Sequence, residues 1–250
     1  MKEKTIRYLV TALLLMAPHD LFAETPAATS TRHLRYRQDN GPAYRVTQTR
    51  EEDRLTILYQ YGKEIPDSSA AGFRRGSPPN SPQNGESLNR GLHQAPDVRC
   101  VRNLKTGRLE SCETFFHKGS RRYEFAGKEV KVTQPGGRLS THRLTTVAHP
   151  QLLDAICAFV ASGRDSQEVL YISQAESFGT QGFVMTREGR ERVTTPAGTF
   201  ECFKVKLTLD SRIGALFFRL DFLVAGDGHY PYIVKGHTSS GGEFQLVGID

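Results

Sequence analysis

No tryptophan occurs in the 250 residues of this chain, methionine occurs three times and cysteine four times. Four cysteines are too few for a fold held mainly by disulfides, so stability has to come from a buried core, which a chain of this length can form. The cysteines come without a CxxC pair or an HxxxH spacing, and the usual zinc patterns are therefore excluded. Other signatures are missing too: there is no Gly-x-Ser-x-Gly elbow, no His-Glu-x-x-His, no phosphate-cradling Gly-rich loop ending in Lys-Ser/Thr and no dinucleotide fingerprint. No cofactor is implied, and no catalytic set can be assembled. Long apolar runs are equally scarce. The run Tyr8 to Ala17 is shorter than the roughly 20 residues of a spanning helix, and nothing later exceeds it, so no permanent membrane span is expected.

What is present is a pattern for export. Lys2, Lys4 and Arg7 precede that apolar run, and Leu21-Phe22-Ala23 leads to Glu24 with a small residue at the exit. This order predicts a cleavable secretory signal over 1–23, cut between Ala23 and Glu24, and a periplasmic location. The formal charge is +6, and the signal's three bases and two acids leave about +5 on the remainder. The bases are dispersed (Arg74-Arg75, Arg121-Arg122, Arg190, Arg192, Lys204, Lys206) without repeating aromatic partners, which argues for solvated faces and against a nucleic-acid stripe.

Twenty-three glycines, twelve prolines and a mean hydropathy of −0.45 suit a soluble, strand-and-turn protein. Residues 24–40 read as polar and ragged. Ala43 to Thr49 and Leu55 to Tyr61 read as a hairpin, since Leu55, Ile57, Tyr59 and Tyr61 alternate with the period of a strand; the segment 24–66 is expected to join the main sheet. From 67 to 95 the chain turns to Ser, Pro, Gly, Asn and Arg with almost nothing to bury, and a disordered insertion is predicted. The domain proper is 96–250. Strands are predicted at 98–103, 108–116, 122–125, 129–133, 138–148, 169–176, 182–188, 191–195, 199–209, 216–224, 232–237 and 244–249. One helix is predicted over 150–162, with Pro150 in its first position, Leu152, Ile156, Phe159 and Val160 on one face, and Gly163 at its exit.

Cys100 and Cys112 flank a turn signature at Lys105-Thr106-Gly107. A three-residue loop with Gly107 at positive φ places 104/108, 102/110 and 100/112 opposite one another and predicts a disulfide across the hairpin. Cys157 and Cys202 leave three readings open: two separate thiols, a second disulfide, or one exposed reactive thiol.

The stretch Arg192-Val193-Thr194-Thr195-Pro196-Ala197-Gly198-Thr199-Phe200-Glu201-Cys202-Phe203-Lys204-Val205-Lys206-Leu207, in which a strand enters a Pro-Ala-Gly turn and leaves as a long strand, resembles the exported bacterial family catalogued as domain of unknown function 3108. The helix upstream and the terminal pattern from Leu216 through Gly226-Asp227-Gly228-His229-Tyr230-Pro231 to Asp250 agree, so the resemblance covers roughly 97–250. The tryptophan usual in that family's penultimate strand region is absent. The resemblance implies a mainly β fold, a curved antiparallel sheet with one packed helix, similar to the half-barrels of periplasmic lipoprotein carriers. It lends no catalytic residues.

His142, His149, His229 and His237 stand near other polar groups, and Glu188, Glu191 and Asp221 could pair as carboxylates, but nothing in the sequence fixes their separations. The reading reached is a monomeric, non-enzymatic binding or assembly protein of the envelope. Its concave sheet face, with Phe203, Val205, Leu207, Phe218, Leu220 and Phe222 as lining candidates, would hold an apolar or lipid-like ligand or dock an envelope protein. The alternatives are an enzyme acting on envelope glycan or lipid, and a structural tether using the 67–95 insertion.

Overall fold

The computed structural model describes residues 29–39, 43–62, 96–173, 178–211, 213–226, 228–237 and 242–250. The expected signal, with its cut at Ala23/Glu24, and the 67–95 insertion lie outside them.

In chain order the elements are β1 (Ser30–Gln38), β2 (Tyr44–Glu51), β3 (Arg54–Tyr61), β4 (Asp97–Asn103), β5 (Leu109–Phe116), β6 (Gly119–Ala126), β7 (Glu129–Thr133), β8 (Leu139–Arg143) and β9 (Ala148–His149). Helix α1 (Leu152–Ala161) follows, then β10 (Ser166–Ile172), β11 (Thr180–Thr195), β12 (Gly198–Leu209), the single turn α2 (Gly214–Phe217), β13 (Arg219–Ala225), β14 (Tyr232–His237) and β15 (Glu243–Ile249). All fifteen strands form one sheet in the order β8-β7-β6-β5-β4-β3-β2-β1-β15-β14-β13-β12-β11-β10-β9. Two meanders thus lie side by side: one walks outward from β1 to β8, and the other walks back inward from β9 to β15. Every pairing is antiparallel except the short β9–β10 pair.

This connectivity forces curvature. At about 4.8 Å per strand a flat sheet of this width would extend to roughly 67 Å. Yet its two edges, β8 and β9, are joined by residues 144–147 alone, a span of at most about 18 Å. The sheet therefore rolls until its edges approach without closing. His142 of β8 stacks on Phe178, just ahead of β11, with centroids 3.7 Å apart.

The concave face carries the core. Leu34 and Tyr36 on β1, Tyr44 and Val46 on β2, Ile57 and Tyr59 on β3, Val205 and Leu207 on β12, Phe222 on β13 and Phe244 and Leu246 on β15 are all buried. Their spacing of two is what a strand with one wet face requires. Gly236 lets two rings pass over β14, since a Cβ there would stand 2.5 Å from Phe222 and 2.9 Å from Phe244. Helix α1 turns Ile156, Phe159 and Val160 into this face.

The mainly β class, the curved sheet and its one principal helix are as expected, and several boundaries differ. Residues 30–38, read as ragged, form β1 between β2 and β15. The apolar signal is weak there because Arg32 shares the inward register with only Leu34 and Tyr36. Pro150 lies ahead of the helix, whose N-cap is Gln151 accepting from the Leu153 N–H. The stretches 182–188 and 191–195 are one strand, β11, with an irregularity between Arg187 and Gly189, where Gly189 holds φ at 127°. The strand predicted to begin at Leu216 begins at Arg219, because residues 214–217 turn as α2. The β4–β5 register departs in one respect: Cys100 lies opposite Cys112, but Arg102 faces Leu109 rather than Glu110, because a bulge after Val101 absorbs one residue.

Candidate functional site

The space between α1 and the concave face is the part of the molecule with an arrangement of its own. Its centre is polar. Arg102, on the inward face of β4 with Val98 and Cys100, donates from Nη2 to Asp154 Oδ2 at 2.6 Å and from Nη1 to the Gly107 carbonyl at 2.6 Å. Asp154, in the first turn of α1, also lies 3.3 Å from His149 Nδ1 and accepts from the Tyr230 hydroxyl at 3.5 Å. The side chains of Arg102 and Asp154 are 4% and 0% exposed. Burial by itself pushes the Asp154 carboxyl up, but Arg102 and His149 outweigh it and hold the group at about 2. Burial lowers the His149 imidazole below its ordinary range against the pull of Asp154, so the ring is neutral near pH 7. Arg102 keeps its charge: desolvation opposes it, and Asp154 more than compensates.

Two further ties close the interior. Gln151 donates to the Tyr61 hydroxyl at 3.0 Å, joining the start of α1 to β3. On the other side, the connection between β13 and β14 is drawn over β1 and β2: Arg32 donates to Gln48 at 2.6 Å and to the Tyr230 carbonyl at 2.8 Å, and its guanidinium lies 4.3 Å above the Tyr232 ring. Gln48 adds a contact to the Pro231 carbonyl at 3.4 Å.

Beneath α1 lies a layer of rings. Tyr36 and Tyr44 stack at 4.5 Å, Tyr44 and Tyr61 at 5.5 Å, and Phe244 meets both Tyr36 and Tyr44 edge-on. A cavity of about 10 Å³, bounded by Tyr36, Tyr44, Tyr59, Leu153, Cys157 and Ile233 among others, remains between helix and sheet. The Tyr44 hydroxyl is buried there with no hydrogen-bond partner among the described residues. Burial raises the hydroxyls of Tyr36, Tyr44, Tyr59 and Tyr230 well above their ordinary range, so all are neutral donors.

The lining candidates come together as one patch. Val205 faces Phe222 and Leu207 faces Leu220 across the β12–β13 ladder, Phe203 continues the row beside Val224, and Phe218 packs on Phe183 with centroids 5.6 Å apart. Val205, Leu207 and Phe222 are buried; Phe203, Phe218 and Leu220 are half-buried. Arg187 and Arg190 cover the Phe203 ring at 5.3 and 4.5 Å. Phe222 extends the layer towards Phe244 at 6.4 Å.

Other candidates scatter. His229 is exposed, His142 stacks on Phe178, and His237 bridges the Asp221 carbonyl and the Glu243 carboxylate. Glu188 is bound to Lys206 at 2.6 Å, and Arg219 lies between Glu188 and Asp221, so these carboxylates are held apart by cations rather than sharing a proton. Among the described residues no group of three His, Cys, Asp or Glu is placed to hold a metal. Cys100 and Cys112 form the expected disulfide, while Cys157 and Cys202 are separate buried thiols. Burial raises the Cys157 thiol beyond the reactive range and pushes Cys202 up to about 12.

Sequence reasoning missed Arg102, Asp154, Gln151, Arg32, Gln48 and Tyr230. Two signals were available. Arg102 follows Val98 and Cys100 at the inward period of two, and Asp154 shares a helical face with Cys157, three residues on. A charge at each of two core positions implies a mutual partner.

Comparison of the chain with protein-family models finds no match, and comparison with curated proteins and with solved structures likewise finds none.

Proposed function

We propose that this is a periplasmic, non-enzymatic binding protein that holds an apolar, lipid-like molecule against the concave face of its sheet, in the space α1 fills when no ligand is bound. The observation that carries the reading is how the helix is held. A ten-residue helix lies on a continuous aromatic and aliphatic layer, and its fixed points are the polar ties Arg102–Asp154, Gln151–Tyr61 and Tyr230–Asp154. If an acyl chain takes the place of Leu153, Ile156, Cys157 and Val160, the layer stays covered, so the apolar term of about 25 cal/mol per Å² largely cancels between the two states. The polar ties then set the balance between them. The His149–Asp154 pair is sealed from solvent and bound by Arg102, which suits a latch and leaves a substrate no approach to it. The likeness of the Pro196-Ala197-Gly198 hairpin and its strands to an exported family supports the envelope setting.

The test is purification from the native envelope followed by native mass spectrometry and lipid extraction, together with uptake of a fluorescent fatty acid by the wild type and by Asp154→Asn. A stoichiometric acyl species, or probe uptake that increases in the variant, is expected. A ligand-free mass with no uptake by either protein refutes storage.

A further inference from the structure

Among the described residues, the two most exposed large apolar side chains are Leu216 at 80% and Ile213 at 74%. Both belong to the connection between β12 and β13, and they stand three residues apart around the single turn α2, a spacing that brings side chains to one side of a helical turn. In sequence, Ile213-Gly214-Ala215-Leu216-Phe217-Phe218 contains no polar side chain and is bounded by Arg212 and Arg219. A connection between two antiparallel strands is ordinarily polar. Here the order is reversed: the tip is apolar and the charges flank it.

The strand directions put further residues of the same character at this end of the sheet. β5, β7 and β12 run the same way, so the connections at 117–118, 134–138 and 210–218 emerge at the same end of the sheet. Leu139, which opens β8, and Phe115, near the end of β5, are exposed there. With Ile213 and Leu216 they make four of the six exposed large hydrophobic residues among those described. Lys118 and Arg138 are exposed cations on the same connections. Arg219 is tied to Asp221 and Glu188 and adds less.

We infer that this end of the molecule docks on a lipid surface bearing anionic headgroups, with Ile213 and Leu216 entering the acyl boundary and Lys118 and Arg138 meeting the phosphates. An apolar tip at an end of the sheet that also carries exposed Lys118 and Arg138, against the exposed Asp210 of the tip's own connection, has the amphipathic layout of an interfacial anchor, and the net charge, about +5 without the expected signal, has the matching sign. The inference stands on the outer end of the sheet and does not depend on what the concave face holds.

Flotation of the purified protein with vesicles of phosphatidylethanolamine and phosphatidylglycerol tests it, with phosphatidylcholine vesicles alongside. The expected result is recovery with the anionic vesicles and weaker recovery with phosphatidylcholine. Ile213→Asp and Leu216→Asp should each weaken partition about tenfold, the scale of losing one inserted aliphatic side chain. Lys118→Glu with Arg138→Glu should remove the preference for phosphatidylglycerol. All of these variants should keep the wild-type melting midpoint, because the altered side chains are exposed. Wild-type protein that stays with neither vesicle, or aspartate variants that float as well as the wild type, overturns the inference. So does a concentration-dependent dimer in sedimentation velocity that Leu216→Asp abolishes, which would assign the tip to a second copy of the chain.

Discussion

Replacing Asp154 by asparagine keeps the shape of the side chain but leaves the Arg102 guanidinium buried without its counter-charge. Arg102 Nη2 and Asp154 Oδ2 are 2.6 Å apart with both side chains almost fully enclosed, and removal of one member of such a pair costs about 3–5 kcal/mol. Linkage gives a smaller figure. A carboxyl held at about 2 against its ordinary 3.8 is worth roughly 2 kcal/mol. The deletion should exceed that, because it also strands the arginine. For a chain of this length the loss corresponds to a fall in melting temperature of about 6–20 °C. Denaturant unfolding of the oxidised protein measures it, with Arg102→Met and the double variant Arg102→Met/Asp154→Leu completing a cycle. With both charges gone the interior is uniformly apolar, and the double variant should return to within about 2 kcal/mol of the wild type. A loss below about 1 kcal/mol for Asp154→Asn, or a double variant equal to the sum of the singles, would refute the account of α1 as latched by this pair.

Three other perturbations have worked-out signs. Breaking the Cys100–Cys112 disulfide with paired serines opens a closure of 12 residues in sequence and should cost about 3 kcal/mol in denaturant unfolding; no loss would place the hairpin's stability wholly in its ladder. Gly236→Ala pushes a methyl into Phe222 and Phe244 and should lower stability by about 1–3 kcal/mol, read as a shift in melting midpoint, whereas an unchanged midpoint would mean that the two rings can move aside. The His149 imidazole titrates below its ordinary 6.5 in the native state, so the unfolded chain takes up the proton first and stability falls as pH drops through that value. A second loss follows between 3.8 and about 2 as Asp154 is protonated. His149→Gln should flatten the upper step in melting temperatures taken between about pH 7.5 and 5, and parallel slopes for variant and wild type would exclude His149 as the source.

Legibility in the sequence followed the strength of local signals. Leu55, Ile57 and Tyr59 alternate against polar neighbours, and β3 is where that alternation puts it. Lys105-Thr106-Gly107 has the chemistry of a tight turn and marks the hairpin, while Cys100 meets Cys112 because the bulge after Val101 offsets a register that is one residue out at Arg102. What failed was decided at a distance. β1 turns Thr31, His33, Arg35 and Arg37 outward and is a strand because β2 and β15 pair with it from both sides. The six apolar residues from Ile213 look like a strand's interior, yet Ile213 and Leu216 face solvent, since none of the described elements covers them. The polar latch was hidden for a related reason. Arg102 and Asp154 are 52 residues apart, and each read alone is an ordinary charged residue that acquires its partner only when the sheet has rolled.

The pairing of β1 with β15 also sets an order in time. Within each meander strands consecutive in sequence pair with one another, most of them across a short turn, with residues 62–96 between β3 and β4 and the helix between β9 and β10 as the longer connections. The union of the halves, by contrast, pairs residues as far apart in sequence as Leu34 and Ile249. A chain delivered N-terminus first thus carries β1 with one unpaired edge until β15 arrives. For that interval the N-terminal meander is a finished sheet with an open side, able to accept any extended strand within reach, and β15 is the piece whose arrival ends the exposure.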